Sequence, residues 1–153
     1  MITVFTDGAC LGNPGPGGWG VVIQYPDKTH SFSGHNKHTT NNRMELMAAI
    51  QGLELLSTDQ PVRLVSDSQY VIKGITEWIH GWQKNNWKNS KKKDVENKDL
   101  WQRLVQAQSR CPNVTWEWVK GHGSCAGNNE ADRLATQAAS TQQSCGQDAL
   151  FAE

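Results

Sequence analysis

Four carboxylates occupy positions that a solvent-exposed acid would not explain. Asp7 and Asp67 each close a short apolar run. Both runs are typical of buried strands, so each carboxylate is predicted to emerge at the end of a strand. Glu45 and Asp132 lie in two stretches with helical periodicity. Charged groups on a packed surface are costly unless they are paired or bind a metal. The quartet therefore predicts a cation site.

Small residues accompany the two helical acids. Residues three, four and seven positions further along a helix share a face with the first residue. For Glu45 these positions hold Ala48, Ala49 and Gly52, and for Asp132 they hold Ala135, Thr136 and Ala139. A face of small residues lets a helix backbone approach a sheet closely. Both acids are therefore expected to point toward the sheet.

The ligand chemistry of this quartet favours a hard cation. Carboxylate oxygens without imidazole or thiolate partners suit Mg²⁺ or Mn²⁺ better than zinc. Two such ions in one carboxylate cluster suit in-line displacement at phosphorus. On these residues alone, a phosphatase, a nucleotide hydrolase and a nuclease all fit.

A basic segment with tryptophans stands out from a chain whose formal net charge is zero. Residues 73–93 contain six lysines and one glutamate, together with Trp78, Trp82 and Trp87. Lysines contact phosphates and aromatic rings stack on bases or sugars, so this composition is typical of a groove that binds a nucleic-acid backbone. The alternative is a solvated helix whose tryptophans cover the core. We favour the first interpretation because few apolar residues surround Lys91, Lys92 and Lys93.

The order of predicted elements indicates an α/β fold. Strands are predicted over 1–7, 20–25, 28–34, 62–66 and 114–119, and helices over 41–57, 68–80, 98–109 and 128–143. A turn at 25–28 makes the second and third strands an antiparallel hairpin. The result is a mixed five-stranded sheet, antiparallel first and parallel later, flanked by helices. We expect one domain over 1–143, followed by a weakly structured tail over 144–153.

The remaining composition predicts a cytoplasmic protein, and we expect it to be a monomer. No stretch approaches the ~20 apolar residues of a membrane span, and no secretory signal is visible. Cys10, Cys111, Cys125 and Cys145 have no zinc-ligand spacing and are expected to be free thiols in a reducing compartment. His122 lies between two glycines ten residues before Asp132, which makes it a candidate for proton transfer.

Five motifs in series resemble those of type 1 ribonuclease H in its bacterial form. They are TDGACLGNPG at 6–15, TNNRMEL at 40–46, SDSQY at 66–70, WVKGH at 118–122 and NNEAD at 128–132. The resemblance covers the chain from Met1 to about residue 143. It implies the ribonuclease H-like fold and endonucleolytic cleavage of the RNA strand of RNA/DNA hybrids. The expected ends are 3′-hydroxyl and 5′-phosphate, with little sequence specificity.

The resemblance also implies roles for individual residues. Asp7, Glu45, Asp67 and Asp132 match the acids that bind two Mg²⁺ ions, for which Mn²⁺ can substitute. His122 matches a histidine that assists proton transfer or product departure. Contacts with the RNA backbone and its 2′-hydroxyls are implied for Cys10, Asn13, Asn41 and Gln69. A pocket for a phosphate of the DNA strand is implied for Thr40 and Asn97. The basic protrusion that grips the DNA strand is implied for Trp78, Trp82, Lys84 and Lys88.

Two other functions are compatible with parts of the sequence. A hybrid-binding module without catalysis would keep the basic segment but would not need four inward-facing acids. DNA strand transfer on the same scaffold would need further domains to recognise its target. We therefore favour the nuclease, with an RNA/DNA hybrid as substrate and no obligate protein partner. His38 occupies a position near the phosphate pocket where relatives often have arginine, so that contact is expected to be weaker or pH-dependent.

Overall fold

A mixed sheet forms the centre of the computed structural model, which describes residues 1–121 and 123–146. Its strands are β1 (Ile2–Cys10), β2 (Gly15–Gln24), β3 (Thr29–Thr39), β4 (Val62–Ser66), β5 (Val114–Trp118) and the short β6 (Cys145–Gly146). They lie in the order β5-β4-β1-β2-β3-β6. Strands β1, β2 and β3 pair antiparallel, whereas β4 pairs parallel with β1 and β5. The predicted sheet of five strands, β1 to β5, is confirmed, and the short β6 pairs at its edge with β3.

Helices connect and cover the strands. They are α1 (Asn41–Leu56), α2 (Gln69–Lys73), a π-helical segment (Gly74–Trp78), α3 (Ile79–Lys84), α4 (Lys98–Ser109) and α5 (Ala126–Thr141). The predicted helix over 68–80 is therefore longer than expected, since α2, the π-helical segment and α3 follow one another without a break to Lys84. In the described part of the chain, no helix has the length and apolar character needed to cross a membrane.

The sheet separates two apolar cores because side chains alternate between its faces along each strand. Val4 belongs to the larger core, which includes residues of α1 and α4, whereas its neighbour Phe5 belongs to the smaller core beneath α5. Trp101 of α4 is fully buried in the larger core. Asp7 and Asp67 each directly follow the last residue pair of the β1–β4 ladder, between these two layers.

Glycines allow α5 to pack directly against β2. A Cβ on Gly18 would lie 2.5 Å from the carbonyl oxygen of Ala135, and one on Gly20 would overlap with the carbonyl oxygen of Ala131. The predicted small-residue face of α5 is partly right, because Ala135 and Ala139 are buried. Thr136 is exposed and does not belong to that face.

Strand β1 continues three residues beyond Asp7, where the sequence pattern predicted its end. The continuation pairs with a glycine-rich start of β2, in which Gly8 lies opposite Trp19 and Cys10 opposite Gly17. Strand propensity does not favour glycines, so the sequence pattern predicted no strand between residues 7 and 20. Asp7 therefore lies inside a strand, although the parallel ladder to β4 ends at the preceding Thr6–Ser66 pair.

The C-terminal segment reaches the far edge of the sheet. Cys145 and Gly146 pair with Ser33 and Phe32 of β3. The Oγ atom of Ser144 lies 3.0 Å from Nδ1 of His35. The predicted domain boundary at residue 143 stays a prediction, and residues 147–153 of the predicted tail lie outside the described residues.

Candidate active site

Two neighbouring strands bring Asp7 and Asp67 together. Strands β1 and β4 run parallel, and their ladder ends at the pair Thr6–Ser66. The residue that follows each member of this pair is an aspartate, so both carboxylates project from the same edge of the sheet. Asp7 is 2% exposed, and its Oδ1 accepts a hydrogen bond of 2.9 Å from the backbone N–H of Gly8.

Helix α1 adds Glu45 to this edge because Gly8 has no side chain. A Cβ on Gly8 would overlap with the backbone nitrogen of Glu45, so any larger residue would push the helix away. Thr40 starts the helix, since its hydroxyl accepts a hydrogen bond of 3.2 Å from the backbone N–H of Arg43. The predicted face of Ala48, Ala49 and Gly52 is buried against the sheet.

Asp7, Glu45 and Asp67 form a cluster in which each offers a ligand oxygen within 4.8 Å of the others. Glu45 is 6% exposed. Within the described residues, Oε1 of Glu45 and Oδ1 of Asp67 are buried without a hydrogen-bond partner. Buried polar atoms in proteins nearly always have a partner. Two such carboxylate oxygens facing a third carboxylate fit a hard divalent cation.

Burial and mutual repulsion disfavour the ionised forms of these acids in the absence of a cation. Burial, followed by the nearby charge of Asp67, raises the pKa of Asp7 to about 8. Burial also raises the pKa of Glu45 well above its ordinary value, and the charges of Asp7 and Asp67 raise it further. A divalent cation would reverse both effects, because it favours the charged form of each ligand.

Asp132 reaches the cluster from helix α5, on the other face of the sheet. A hydrogen bond between Asp132 and Asp7 is one of the interactions that raise the pKa of Asp7. The group of three oxygens within 4.8 Å does not include Asp132. The structure therefore brings three of the four predicted acids into one compact cluster and places the fourth beside Asp7.

The loop after β5 approaches the cluster at Gly121. A Cβ at this position would lie 2.7 Å from Oδ2 of Asp67, so a larger residue here would displace that carboxylate oxygen. The predicted candidate for proton transfer, His122, follows directly in this loop but lies outside the described residues.

The four residues predicted to contact RNA lie close to the acids in sequence and differ in their surroundings. Asn13 is exposed, and its Oδ1 accepts a hydrogen bond of 2.9 Å from the backbone N–H of Asn41, the first residue of α1. Gln69 is exposed at the start of α2, two residues after Asp67. The thiol of Cys10 lies 3.3 Å from the carbonyl oxygen of Thr39 and is only partly buried.

Arg43 joins the two residues predicted to form the phosphate pocket. Its backbone N–H binds Thr40, and its guanidinium donates a hydrogen bond of 3.2 Å to Oδ1 of Asn97. The same guanidinium forms a bidentate pair with Asp99, at 2.7 and 3.0 Å. Sequence reasoning missed Arg43, although it lies inside the motif at 40–46. The pair with Asp99 spans 56 positions, and no local pattern indicates it.

The tryptophans of the basic segment have different surroundings. Two of them cover the core, and one is accessible to a ligand. Trp82 packs against the larger core, with its ring centroid 5.2 Å from that of Trp101, and Trp87 packs against the same core. Trp78 is 39% exposed. Covering the core is therefore the main role of Trp82 and Trp87, whereas Trp78 presents an accessible ring.

The lysines of the segment point to solvent. Lys84 is exposed at the end of α3, and Lys88 is exposed but pairs with Asp94 at 2.5 Å. Asp94 also lies 3.6 Å from Lys98. Across residues 1–121 and 123–146, none of the ion pairs includes Lys84, Lys91, Lys92 or Lys93. These four ammonium groups are available to an anionic ligand.

Comparison with known proteins identifies the family. The RNase H family model matches residues 1–140. The chain belongs to the RNase H family. The ribonuclease H of Syntrophotalea carbinolica is 56% identical over 138 residues, which cover 90% of each chain. The ribonuclease H of Erythrobacter litoralis is 54% identical over 141 residues, which cover 92% of this chain and 97% of that one.

Solved structures of the RNase H family have the same fold. LC9-RNase H1, a type 1 RNase H with the type 2 active-site motif, superposes with a TM-score of 0.83 at 35% identity, covering 94% of this chain and 74% of that one. LC11-RNase H1, in complex with an RNA/DNA hybrid, superposes with a TM-score of 0.70 at 27% identity, covering 93% and 99%. The resemblance stated from the five motifs is therefore confirmed, and the chain is a member of a nuclease family.

Proposed function

We propose that this chain is an endoribonuclease that hydrolyses the RNA strand of RNA/DNA hybrids, leaving 3′-hydroxyl and 5′-phosphate ends. The observation that carries the proposal is the cluster of Asp7, Glu45 and Asp67, with ligand oxygens within 4.8 Å of one another. Membership of the RNase H family supports it. So does the similarity to LC11-RNase H1, whose structure contains an RNA/DNA hybrid.

The proposed cofactor is a pair of Mg²⁺ ions, with Mn²⁺ as a substitute. Asp7, Glu45 and Asp67 would hold them together with Asp132, and Asp7 is the acid that every other member of the cluster approaches. When bound, the ions supply electrostatic stabilisation of the charge that develops at phosphorus. The protein holds the ligands on β1, α1, α5 and the residue that follows β4, so they need little reorganisation. His122 is proposed to assist proton transfer or product departure.

The substrate surface is proposed to read the shape and sugars of the hybrid rather than its sequence. Cys10, Asn13, Asn41 and Gln69 lie close to the acids in sequence and carry groups that suit RNA 2′-hydroxyls and phosphates. Thr40 and Asn97, joined by Arg43, would hold a phosphate of the DNA strand. Trp78 and the unpaired lysines would contact the same strand farther along. We further propose that the protein acts as a cytoplasmic monomer without an obligate protein partner.

The proposal is tested by cleavage of an RNA-labelled RNA/DNA hybrid in Mg²⁺, with duplex DNA and duplex RNA as parallel substrates. We expect cuts in the RNA strand of the hybrid alone, and we expect a chelator to abolish them. Asp67→Asn should do the same, because it removes a charged ligand from the cluster. Binding of the hybrid without cleavage in Mg²⁺ or Mn²⁺ would instead favour a non-catalytic hybrid-binding module.

Replacing Lys84 by glutamine should weaken hybrid binding and lower its dependence on salt. A lysine that neutralises one phosphate contributes a slope of about 0.9 in the logarithm of the binding constant against that of salt concentration. Titrations of a catalytically inactive Asp67→Asn background at several salt concentrations measure this slope. The matched control is Lys28→Gln, at the turn between β2 and β3 at the opposite end of the sheet. Equal slopes for the two variants would show that Lys84 does not contact the hybrid.

A further inference from the structure

The pairing of β4 with β5 ends one residue before Asp67. Ser66 lies opposite Trp118 in the parallel ladder. The backbone N–H of Val119 then donates a hydrogen bond of 3.0 Å to the carbonyl oxygen of Ser66, which is the last backbone bond between these strands. The chain turns at this point into α2, where Ser68 caps the helix by accepting from the backbone N–H of Val71 at 3.2 Å. The backbone of Asp67 is thus the link between a strand and a helix.

A side chain replaces the next bond of the ladder. The indole Nε1–H of Trp118 donates a hydrogen bond of 3.0 Å to the backbone carbonyl oxygen of Asp67. Trp118 is 44% exposed, whereas tryptophans are highly buried on average. Burial of the ring therefore does not account for its position, whereas its bond to Asp67 does.

Apart from its hydrogen bond with Asp7, the carboxylate of Asp67 has few groups to orient it. Its Oδ1 is buried and has no hydrogen-bond partner among the described residues. On the other side, Gly121 approaches Oδ2 with a hydrogen atom in place of a side chain. The direction of the carboxylate therefore depends on how firmly the backbone of residue 67 is held.

We propose that Trp118 is a positioning residue for Asp67. Its indole N–H fixes the carbonyl of residue 67, and through that backbone it aims the carboxylate at Asp7 and Glu45. The inference rests on the proposed function, in which Asp67 is a metal ligand. Removing a group that orients a metal ligand without touching the metal typically lowers metal affinity or activity by about 10- to 100-fold.

The surroundings of the ring define the alternative role. Trp118 lines an open cavity of about 240 Å³ together with Gln69 and Lys73. Gln69 is one of the residues proposed to contact RNA, so a substrate contact through the face of the ring is the competing explanation. The two roles differ in the atom that matters. Positioning needs the N–H group, whereas a substrate contact needs the aromatic face.

The test compares Trp118→Phe, which keeps an aromatic face and removes the N–H, with Trp116→Phe. Trp116 lies two residues earlier on the same face of β5, and its Nε1 has no hydrogen-bond partner among the described residues. Replacement of Trp118 by β-(3-benzothienyl)alanine, which exchanges the N–H for sulfur and keeps the ring shape, is a second variant. Mn²⁺ binding to the protein without substrate is measured by electron paramagnetic resonance, and kcat and KM are measured on the hybrid in Mg²⁺.

We expect both changes at Trp118 to weaken Mn²⁺ binding and to lower kcat by about tenfold, with KM changed less than twofold. Trp116→Phe should leave all three quantities unchanged. Wild-type Mn²⁺ affinity in both Trp118 variants would overturn the proposal, and so would a rise in KM at unchanged kcat. Failure of the wild-type protein to cut the hybrid would overturn the proposed function instead, since Mn²⁺ binding is measured without substrate.

Discussion

Replacing Asp7 by asparagine should abolish cleavage of the RNA strand while leaving the protein folded. Asp7 shares the cluster with Glu45 and Asp67 and also bonds to Asp132 from α5. Its loss removes a charge from the proposed site of both ions. We expect the rate to fall at least about 1,000-fold, equivalent to about 4 kcal/mol of transition-state stabilisation. Single-turnover cleavage of a labelled hybrid in saturating Mg²⁺ measures the loss.

The matched control for this substitution is Asp27→Asn. Asp27 is exposed in the turn between β2 and β3, far along the sheet from the cluster. It makes the same chemical change at a position with no proposed role, so its cleavage rate should equal that of the wild-type protein. Cleavage by Asp7→Asn within tenfold of the wild-type rate would show that the cluster is not the catalytic centre.

The Asp7→Asn substitution should also stabilise the metal-free protein at neutral pH. Burial raises the pKa of Asp7 to about 8 from an ordinary value of 3.8, so the folded state holds this proton more tightly than the unfolded state does. Its contribution therefore makes the free energy of unfolding fall as pH rises from about 4 to about 8. A single group contributes at most about 1.4 kcal/mol per pH unit to this slope.

Asparagine cannot ionise, so Asp7→Asn removes this contribution and should flatten the pH dependence. Urea unfolding of both proteins in a chelator, at intervals between pH 4 and 8, measures the slope. Addition of Mg²⁺ should stabilise the wild-type protein more than the variant, because the ion binds the folded state and favours ionised ligands. Identical slopes in the two proteins would mean that Asp7 ionises as easily in the folded as in the unfolded state.

The acids were predictable from the sequence because each stands at a defined place in a periodic pattern. Asp67 follows an apolar run that forms β4, and Glu45 shares its helix face with buried small residues. The continuation of β1 past Asp7 was not predictable in the same way. It depends on pairing with the glycines of β2. This pairing between strands overrides the low strand propensity of the glycines.

Contacts between distant elements explain the other differences. Trp82 could not be assigned to the core from its spacing alone, because its neighbour Trp101 comes from α4, 19 positions later. Arg43 joins Thr40 to Asn97, which lies 54 positions after Arg43. The indole of Trp118 reaches Asp67 across 51 positions. In each case the sequence contains the residue, but the tertiary fold decides which partner it contacts.

Replacing Gly20 by alanine should both destabilise the protein and reduce cleavage. Gly20 lies opposite Asp7 in the β1–β2 ladder and beneath α5, the helix that carries Asp132. An added Cβ would overlap with the carbonyl oxygen of Ala131 and lie 2.9 Å from Cβ of Leu134. Because one of these atoms belongs to the helix backbone, a change of side-chain rotamer cannot relieve the overlap. The helix must shift, and Asp132 must shift with it.

We expect a loss of about 3 kcal/mol in the free energy of unfolding, at the upper end of the range for overpacked cores. For a chain of this size that corresponds to about 10 °C in Tm. The control is Gly81→Ala in α3, where an added Cβ meets nothing within 4 Å and should stabilise the helix slightly. Thermal unfolding and hybrid cleavage are measured on both variants at a temperature where each is folded.

The two effects of Gly20→Ala separate the role of α5 in folding from its role at the site. A displaced Asp132 should lower kcat even in the fully folded variant, because the carboxylate no longer lies beside Asp7. Wild-type kcat together with a lower Tm would mean that the position of Asp132 does not limit the reaction. An unchanged Tm would mean that α5 and β2 are not packed as closely as the structure describes. A fall in both kcat and Tm would show that Gly20 is needed for the position of Asp132 beside Asp7.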